Sequence, residues 1–293
     1  MPQNLWQGWS WEPLVLFTLL VTALVYLWGV RTLWRRAGAN HGVRYWQTAC
    51  FLGGILTIFI ALLSPLDLLS EALFSAHMVQ HLLLLLVAPS LFVLSRPLAA
   101  LLWALPWPLR LTFGRWQRRR WVQGGWRLFT IPLLVWSLNT VVLWLWHAPR
   151  FYQAALANEA VHALEHVSFL AAATLFWWTV IHPQGGRRYY GVSLLYVFLT
   201  TLQGGLLGAL LTFSSTLWYP VYGPLAKPWG LTPLADQQLA GLIMWVPAGL
   251  LYLLAAALLF VVWLTVLEQG MQRRKPVTTP HAQTVLRPQL PIQ

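Results

Sequence analysis

The chain has 293 residues, 58% of them hydrophobic and 9% charged, with a mean hydropathy of +0.60. Soluble domains carry nearer about 25% charged residues, so this composition excludes a water-soluble globular protein and calls for lipid as the solvent. The net charge of +12 does not argue for nucleic acid, because the basic residues fall between apolar runs, and the single cysteine, Cys50, excludes a disulfide framework within the chain.

Residues 1–12 contain no Lys or Arg, and Arg31, Arg35 and Arg36 follow the first apolar run instead of preceding it. That order predicts a first helix that stays in the mature protein and is not cleaved as a signal. Crossing the hydrocarbon takes about 20 apolar residues. The segments 13–30, 45–64, 76–94, 130–147, 160–181, 190–214 and 236–267 meet that requirement. The fold class expected is therefore all-α, a bundle of about seven transmembrane helices within one polytopic domain, 1–270. A polar, proline-containing tail, 271–293, reads as disordered. The stretch 97–109, rich in Pro and Trp, is too short to span and belongs in the interface. The basic run 115–120, with Trp116 and Trp121, suits anionic lipid.

Lys and Arg concentrate in cytoplasmic loops. Here 17 of the 19 fall in the loops 31–44, 95–129 and 183–189 and in the tail from 268, leaving Arg150 and Lys227 on the other side. Seven alternating spans then put the N-terminus outside and the C-terminus in the cytoplasm. Gly204 and Gly208 form a small-xxx-small pair suited to close helix packing. Pro89, Pro132 and Pro247 are expected to bend helices or mark their ends.

The eight histidines are not scattered. His77 and His81 open the third span, His147 closes the fourth, and His162 and His166 open the fifth, all at the outer end. His182 falls at the inner end, and His41 and His281 in cytoplasmic segments. Residues four apart share a helix face, so each outer pair is a potential clip for a metal. Imidazole suits copper, zinc, nickel and iron, and a ligating ring needs a partner to orient it. Glu165, Asp67, Glu71 and Asp236 are available at the same end, with Met78 and Met244 as soft auxiliary donors. A lone interfacial histidine is usually a hydrogen-bonded helix end. Five at one level, in lipid, mark a metal or cofactor site. His147 has a second reading as a helix end before Pro149, and Asp236 one as the N-cap of the last helix. His162, Glu165 and His166 also match H-x-x-E-H, the inverted zinc-protease signature. That motif's setting is a soluble catalytic domain, whereas this helix continues through Phe176, Trp177 and Trp178 into the membrane.

Four motifs in order then resemble a known family. His77, Met78, Gln80 and His81, followed by Ala88-Pro89, resemble the third-helix motif of the CtaG family of bacterial cytochrome c oxidase assembly factors. Trp146, His147 and Pro149, with Tyr152 and Ala155-Leu156, are similar to its next signature. His162, Glu165 and His166, with Phe169 and the run Leu175-Phe176-Trp177-Trp178, resemble its fifth-helix pattern. The last is the segment from Asp236 to Pro247 through Ala240, Gly241, Met244 and Trp245. The chain has Ala248-Gly249 where the family has a Gly pair.

The resemblance implies a non-enzymatic factor of the bacterial cytoplasmic membrane that assembles a haem-copper oxidase by handling copper at the outer face. Its partners would be oxidase subunits, membrane lipid and an outer copper donor, with no nucleic acid. His77, His81, His162 and His166 are expected to converge on one Cu(I) or Cu(II) ion, with His147 as a further ligand and Glu165 and Asp236 as orienting groups. Protonation near the imidazole reference pKa of about 6.5 would weaken binding. Two rivals remain: a haem with histidines as axial ligands, and a permease. A transmembrane haem pathway wants a second inner pair where only His182 is offered, and the inner helix halves carry few ionisable groups for a permeation path.

Overall fold

In hydrocarbon every backbone N–H and C=O must find its partner within the protein, and for a single segment only a helix does this. The computed structural model describes residues 8–182, 188–222 and 225–272. Among these the regular elements are helices, and no strand occurs. Of the predicted tail only residues 271 and 272 are described, and loop residues 183–187 also lie outside the described residues.

Six helices are long and apolar enough to cross a membrane. They are α1 (Pro13–Ala37), α2 (Tyr45–Leu63), the continuous Phe74–Leu94 rod, α11 (Glu159–Ile181), α12 (most of Arg188–Phe213) and α13 (Pro233–Gln272). A bent pair of helices makes a seventh crossing if the two are counted as one span. Pro132–His147 (α9) has 16 residues, about 24 Å at 1.5 Å per residue, against roughly 30 Å of hydrocarbon. It continues from α8 (Arg120–Phe129) through a 54° bend at Thr130 and Ile131. The predicted 130–147 span thus corresponds to α9, which is shorter than the hydrocarbon by itself and reaches it only if α8 is counted with it. Proline at N1 of α9 explains the break, since Pro restricts the residue before it to extended geometry.

Short helices complete the chain. α3 (Pro65–Ala72) precedes the third span, and α10 (Pro149–Ala157) links α9 to α11. The segment expected at the interface forms α6 (Pro97–Ala104) and α7 (Trp107–Gln117). α6 lies against α1 so closely that a Cβ on Gly29 would meet the Ala100 carbonyl oxygen at 1.9 Å.

The third span is not uniform. α4 (Phe74–Leu82) passes through a π-helical turn, Leu83–Val87, into α5 (Ala88–Leu94). Pro89 has no N–H to donate one turn back, and the Leu85 carbonyl accepts from Trp177 Nε1 on α11 instead, at 3.2 Å. The irregular turn thereby fastens the third span to α11 just inward of the histidines.

α12 and α13 form the most extensive helix pair. Their closest approach corrects the expected small-residue pair. It joins Gly208 to Gly241, where a Cβ on Gly241 would lie 2.5 Å from the Gly208 carbonyl oxygen, and nothing lies within 4 Å of the corresponding point at Gly204.

Candidate metal centre

The site begins at a break in the chain. Leu73 adopts extended geometry between α3 and α4, so the first N–H groups of α4 have no partner within the helix. Asp236 supplies one from α13. Its carboxylate accepts from Phe74 N at 2.7 Å, Ser75 N at 3.1 Å and Ser75 Oγ at 2.5 Å. This corrects the expected role of Asp236 as cap of its own helix. α13 already starts at Pro233, and Thr232 Oγ1 accepts from Ala235 N there. Asp236 instead caps the histidine-bearing helix from across the bundle, and its oxygens are occupied.

That cap fixes where His77 and His81 face. On the other side Asn158 caps α11 through Ala160 N and Val161 N, one turn before His162. The two helices bring their histidines face to face. Ring centroids lie 4.2 Å apart for His77 and His81, 4.3 Å for His162 and His166, and 5.4 Å for His77 and His162. His81 and His166 are 5.7 Å apart. In two overlapping groups, His77–His162–His166 and His77–His81–Glu165, the candidate ligand atoms all lie within 4.8 Å of one another.

Glu165 is fully buried, and its Oε1 stands 3.5 Å from His81 Nε2. His147 is 6.0 Å from His81, ring to ring, and outside both groups. Its Nδ1 contacts the Leu143 carbonyl at 2.7 Å. A carbonyl only accepts, so Nδ1 carries the proton and Nε2 keeps its lone pair, the tautomer a metal requires.

The donors are unsatisfied as they stand. Both nitrogens of His77 and His81, Nε2 of His147, His162 and His166, and both oxygens of Glu165 are buried without a hydrogen bond of ordinary geometry. Each such group costs about 1–3 kcal/mol relative to a satisfied one. Nine of them in one place is a donor set that fits a cation much better than it fits a packed core.

A lattice of hydrogen bonds surrounds the histidines. Gln80, fully buried, donates to the Ala61 carbonyl at 2.8 Å and to Asp67 Oδ1 at 2.9 Å. Asp67 also accepts from Ser10 Oγ at 3.0 Å, so it braces the rim and is not a free ligand. Burial pushes its carboxyl up from the ordinary range, against the downward pull of Ser10 and Gln80. Glu71 is exposed at the rim, its carboxyl raised by partial burial and by the neighbouring Asp67 and Glu159. Above His77 sit three tyrosines. Tyr222 donates to the Ser70 carbonyl at 3.2 Å, and its oxygen is 2.7 Å from the Tyr152 hydroxyl, which must then be the donor between them. Tyr219 donates to the His147 carbonyl at 2.6 Å. Burial raises all three phenols, so they remain neutral donors.

Met78 is buried and Met244 half-buried; both line a cavity of about 60 Å³ with His81 and His147. His182 stacks on Trp178 at the far end of α11, His41 is exposed beside Ala39, and His281 lies outside the described residues. Sequence reasoning left Ser75, Tyr219 and Tyr222 without a role, and quoted Gln80 and Tyr152 only as motif positions. Gln80 had a legible signal, an amide inside an apolar helix between two histidines. Tyr219 and Tyr222 sit in an irregular segment with no periodicity to place them.

A sequence model of the family described as cytochrome c oxidase caa3 assembly factor (Caa3_CtaG) matches residues 24–265. An uncharacterized protein of Mycobacterium leprae is 24% identical over 266 residues, covering 87% of this chain and 39% of that protein. Uncharacterized proteins of Mycobacterium bovis and Mycobacterium tuberculosis are each 28% identical over 247 residues, covering 81% of this chain and 36% of theirs. The chain thus spans less than two fifths of the length of these relatives. No solved structure matches it.

Proposed function

The chain belongs to the cytochrome c oxidase caa3 assembly factor family, and from that premise we propose that it carries copper for the oxidase on the cluster of His77, His81, His162 and His166. Copper is the cargo here, not a resident cofactor. The observation that carries the reading is the set of buried, unpartnered imidazole nitrogens from two helices, which fall into two overlapping groups sharing His77, His77–His162–His166 and His77–His81–Glu165, each within ligand distance. A carrier must select its ion and also release it. More candidate donors than a copper ion uses at once permit release by stepwise ligand exchange, with Glu165 orienting His81.

The proposed setting is a bacterial cytoplasmic membrane, with the histidine end outside and the C-terminus inside. The charge asymmetry supports this orientation. In a Cys50→Ser background, a cysteine at Glu71→Cys should react with an impermeant maleimide in intact cells. One at Arg119→Cys should react only after permeabilisation; the reverse pattern would invert the topology.

The functional test is copper content and absorption of detergent-purified protein, loaded and then desalted. The wild type should retain copper without a Soret band. The combined variant His77→Ala, His81→Ala, His162→Ala and His166→Ala should lose it while keeping its helical content. Equal copper in both proteins rejects the site. Selective zinc retention would favour the hydrolase signature of His162, Glu165 and His166.

A further inference from the structure

The chamber inward of the cluster holds donors that the four-histidine site does not use. Its outer wall is formed by Met78 and His81 from α4, His147 from α9 and Met244 from α13, and Asn139 and Thr200 line it deeper in the membrane. The chain has four methionines, Met1, Met78, Met244 and Met271. The two in the transmembrane core, from different helices, meet at this one space. Methionine often fills irregular gaps, and leucine would serve that purpose equally. What packing does not explain is His147, fully enclosed, proton-fixed at Nδ1 by the Leu143 carbonyl, and left with an unpartnered Nε2 outside both outer ligand groups.

We infer that this chamber is a second copper station, specific for the cuprous ion, formed by the Met78 and Met244 thioethers with the imidazoles of His81 and His147. The inference rests on the reading of the outer cluster as a copper site. Thioether sulfur is a soft donor that selects Cu(I) over Zn(II) and Cu(II). All four donors are neutral, so the loaded chamber carries a single positive charge. A doubly charged ion enclosed at the same depth would cost far more to desolvate. His81 belongs both to the chamber and to the outer group with His77 and Glu165. It is therefore the hinge of the transfer, keeping the ion while the remaining ligands exchange from imidazole and carboxylate to thioether. No electron moves and no covalent bond is made or broken. The outer histidines capture copper already in the cuprous state, and the inner chamber stores that ion.

The test uses full-length selenomethionine-labelled protein loaded with Cu(I) under reducing, anaerobic conditions and studied by X-ray absorption at the copper edge. The wild type should show selenium bonded to copper. Met78→Leu/Met244→Leu, a nearly volume-conserving change, should abolish that signal and halve the Cu(I) capacity, from about two ions per chain to about one. His77→Ala/His162→Ala/His166→Ala should also retain about one ion, now with the selenium signal intact. Copper bound by nitrogen and oxygen alone in the labelled wild type overturns the chamber and leaves the outer cluster standing. A wild type that binds no copper overturns both. The wild-type spectrum decides between these outcomes even if a variant fails to fold.

Discussion

At one end of the bundle Asp67, Glu71, Glu159, Glu165 and Asp236 surround five histidines, with Arg150 and Lys227 as the basic residues there; at the other end arginines from Arg31 to Arg127 crowd the helix ends beside a single acidic residue, Glu268. The contrast in burial is sharper than the contrast in charge. His77, His81, His147, Glu165 and Asp236 are each at most 3% exposed, whereas α7 and α8, which carry Arg110, Arg115, Arg120 and Arg127, contain no buried residue. The outer end encloses its polar groups and fixes their geometry. The arginine end leaves most of its charged groups exposed. Even Arg110, the best anchored inner arginine, uses the Leu102, Trp103 and Leu105 carbonyls and stacks on Trp103 at 4.0 Å. It closes a helix end and organises nothing further.

This comparison predicts that substitutions will hurt in proportion to how much of the outer enclosure they open. The largest effect is expected at the contact that draws α12 and α13 together. Gly241→Leu drives a side chain into the Gly208 backbone and the Thr212 hydroxyl, and overpacking of that kind costs about 3 kcal/mol or more. The helices must separate, and thermal unfolding in detergent should show a large fall in Tm or no folded protein. Gly249→Ala, further inward on the same helix with nothing within 4 Å, should leave Tm unchanged or slightly raised.

Next comes Asp236. Asp236→Ala leaves Phe74 N, Ser75 N and Ser75 Oγ buried without an acceptor, at about 1–3 kcal/mol for each group. The start of α4 should loosen, so the variant should lose both stability and retained copper. Asp236→Asn keeps one acceptor oxygen and should fall between. A stable Asp236→Ala protein with full copper content would show that the cross-bundle cap does not hold His77 in place.

How much of this was visible in the chain follows from the same physics. Spans were legible because long apolar runs in lipid have one solution, and the histidine pairs because four-residue spacing fixes a helix face. Lone local signals misled. Asp236 sits near a helix start, and its role as a cap for a different helix depends on the fold bringing Phe74 within 2.7 Å. Of the packing pair Gly204 and Gly208, Gly208 does make the close helix contact, against Gly241 of the next helix, and Gly204 does not. The tyrosine roof was illegible because Tyr219 and Tyr222 are placed by hydrogen bonds to the His147 and Ser70 carbonyls, contacts between distant segments that no periodicity encodes.

A smaller effect, on binding more than on folding, is expected at Glu165. Glu165→Gln preserves shape and replaces a carboxyl group beside His81 Nε2 with an amide. Loss of such an orienting carboxylate typically lowers metal affinity about 10–100-fold. Competition with a chromogenic chelator should register that drop with Tm nearly unchanged. Undiminished affinity would reduce Glu165 to a passive wall of the site.

The smallest effect is the strictest test of the contrast between the two ends. Arg118, Arg119 and Arg120 are exposed at the inner end, with no acidic partner among the described residues. Replacing all three by Gln should move stability by no more than about 0.5 kcal/mol, as is usual for exposed sites away from caps and cavities. Copper retention should match the wild type, because these arginines precede α8, at the opposite end of α9 from His147, and exposed charges are screened over roughly 10 Å in ordinary salt. Should copper affinity fall in this triple variant while its helices and Tm stay unchanged, the two ends would be coupled through the bundle. The arginines at that end would then take part in loading the histidine site.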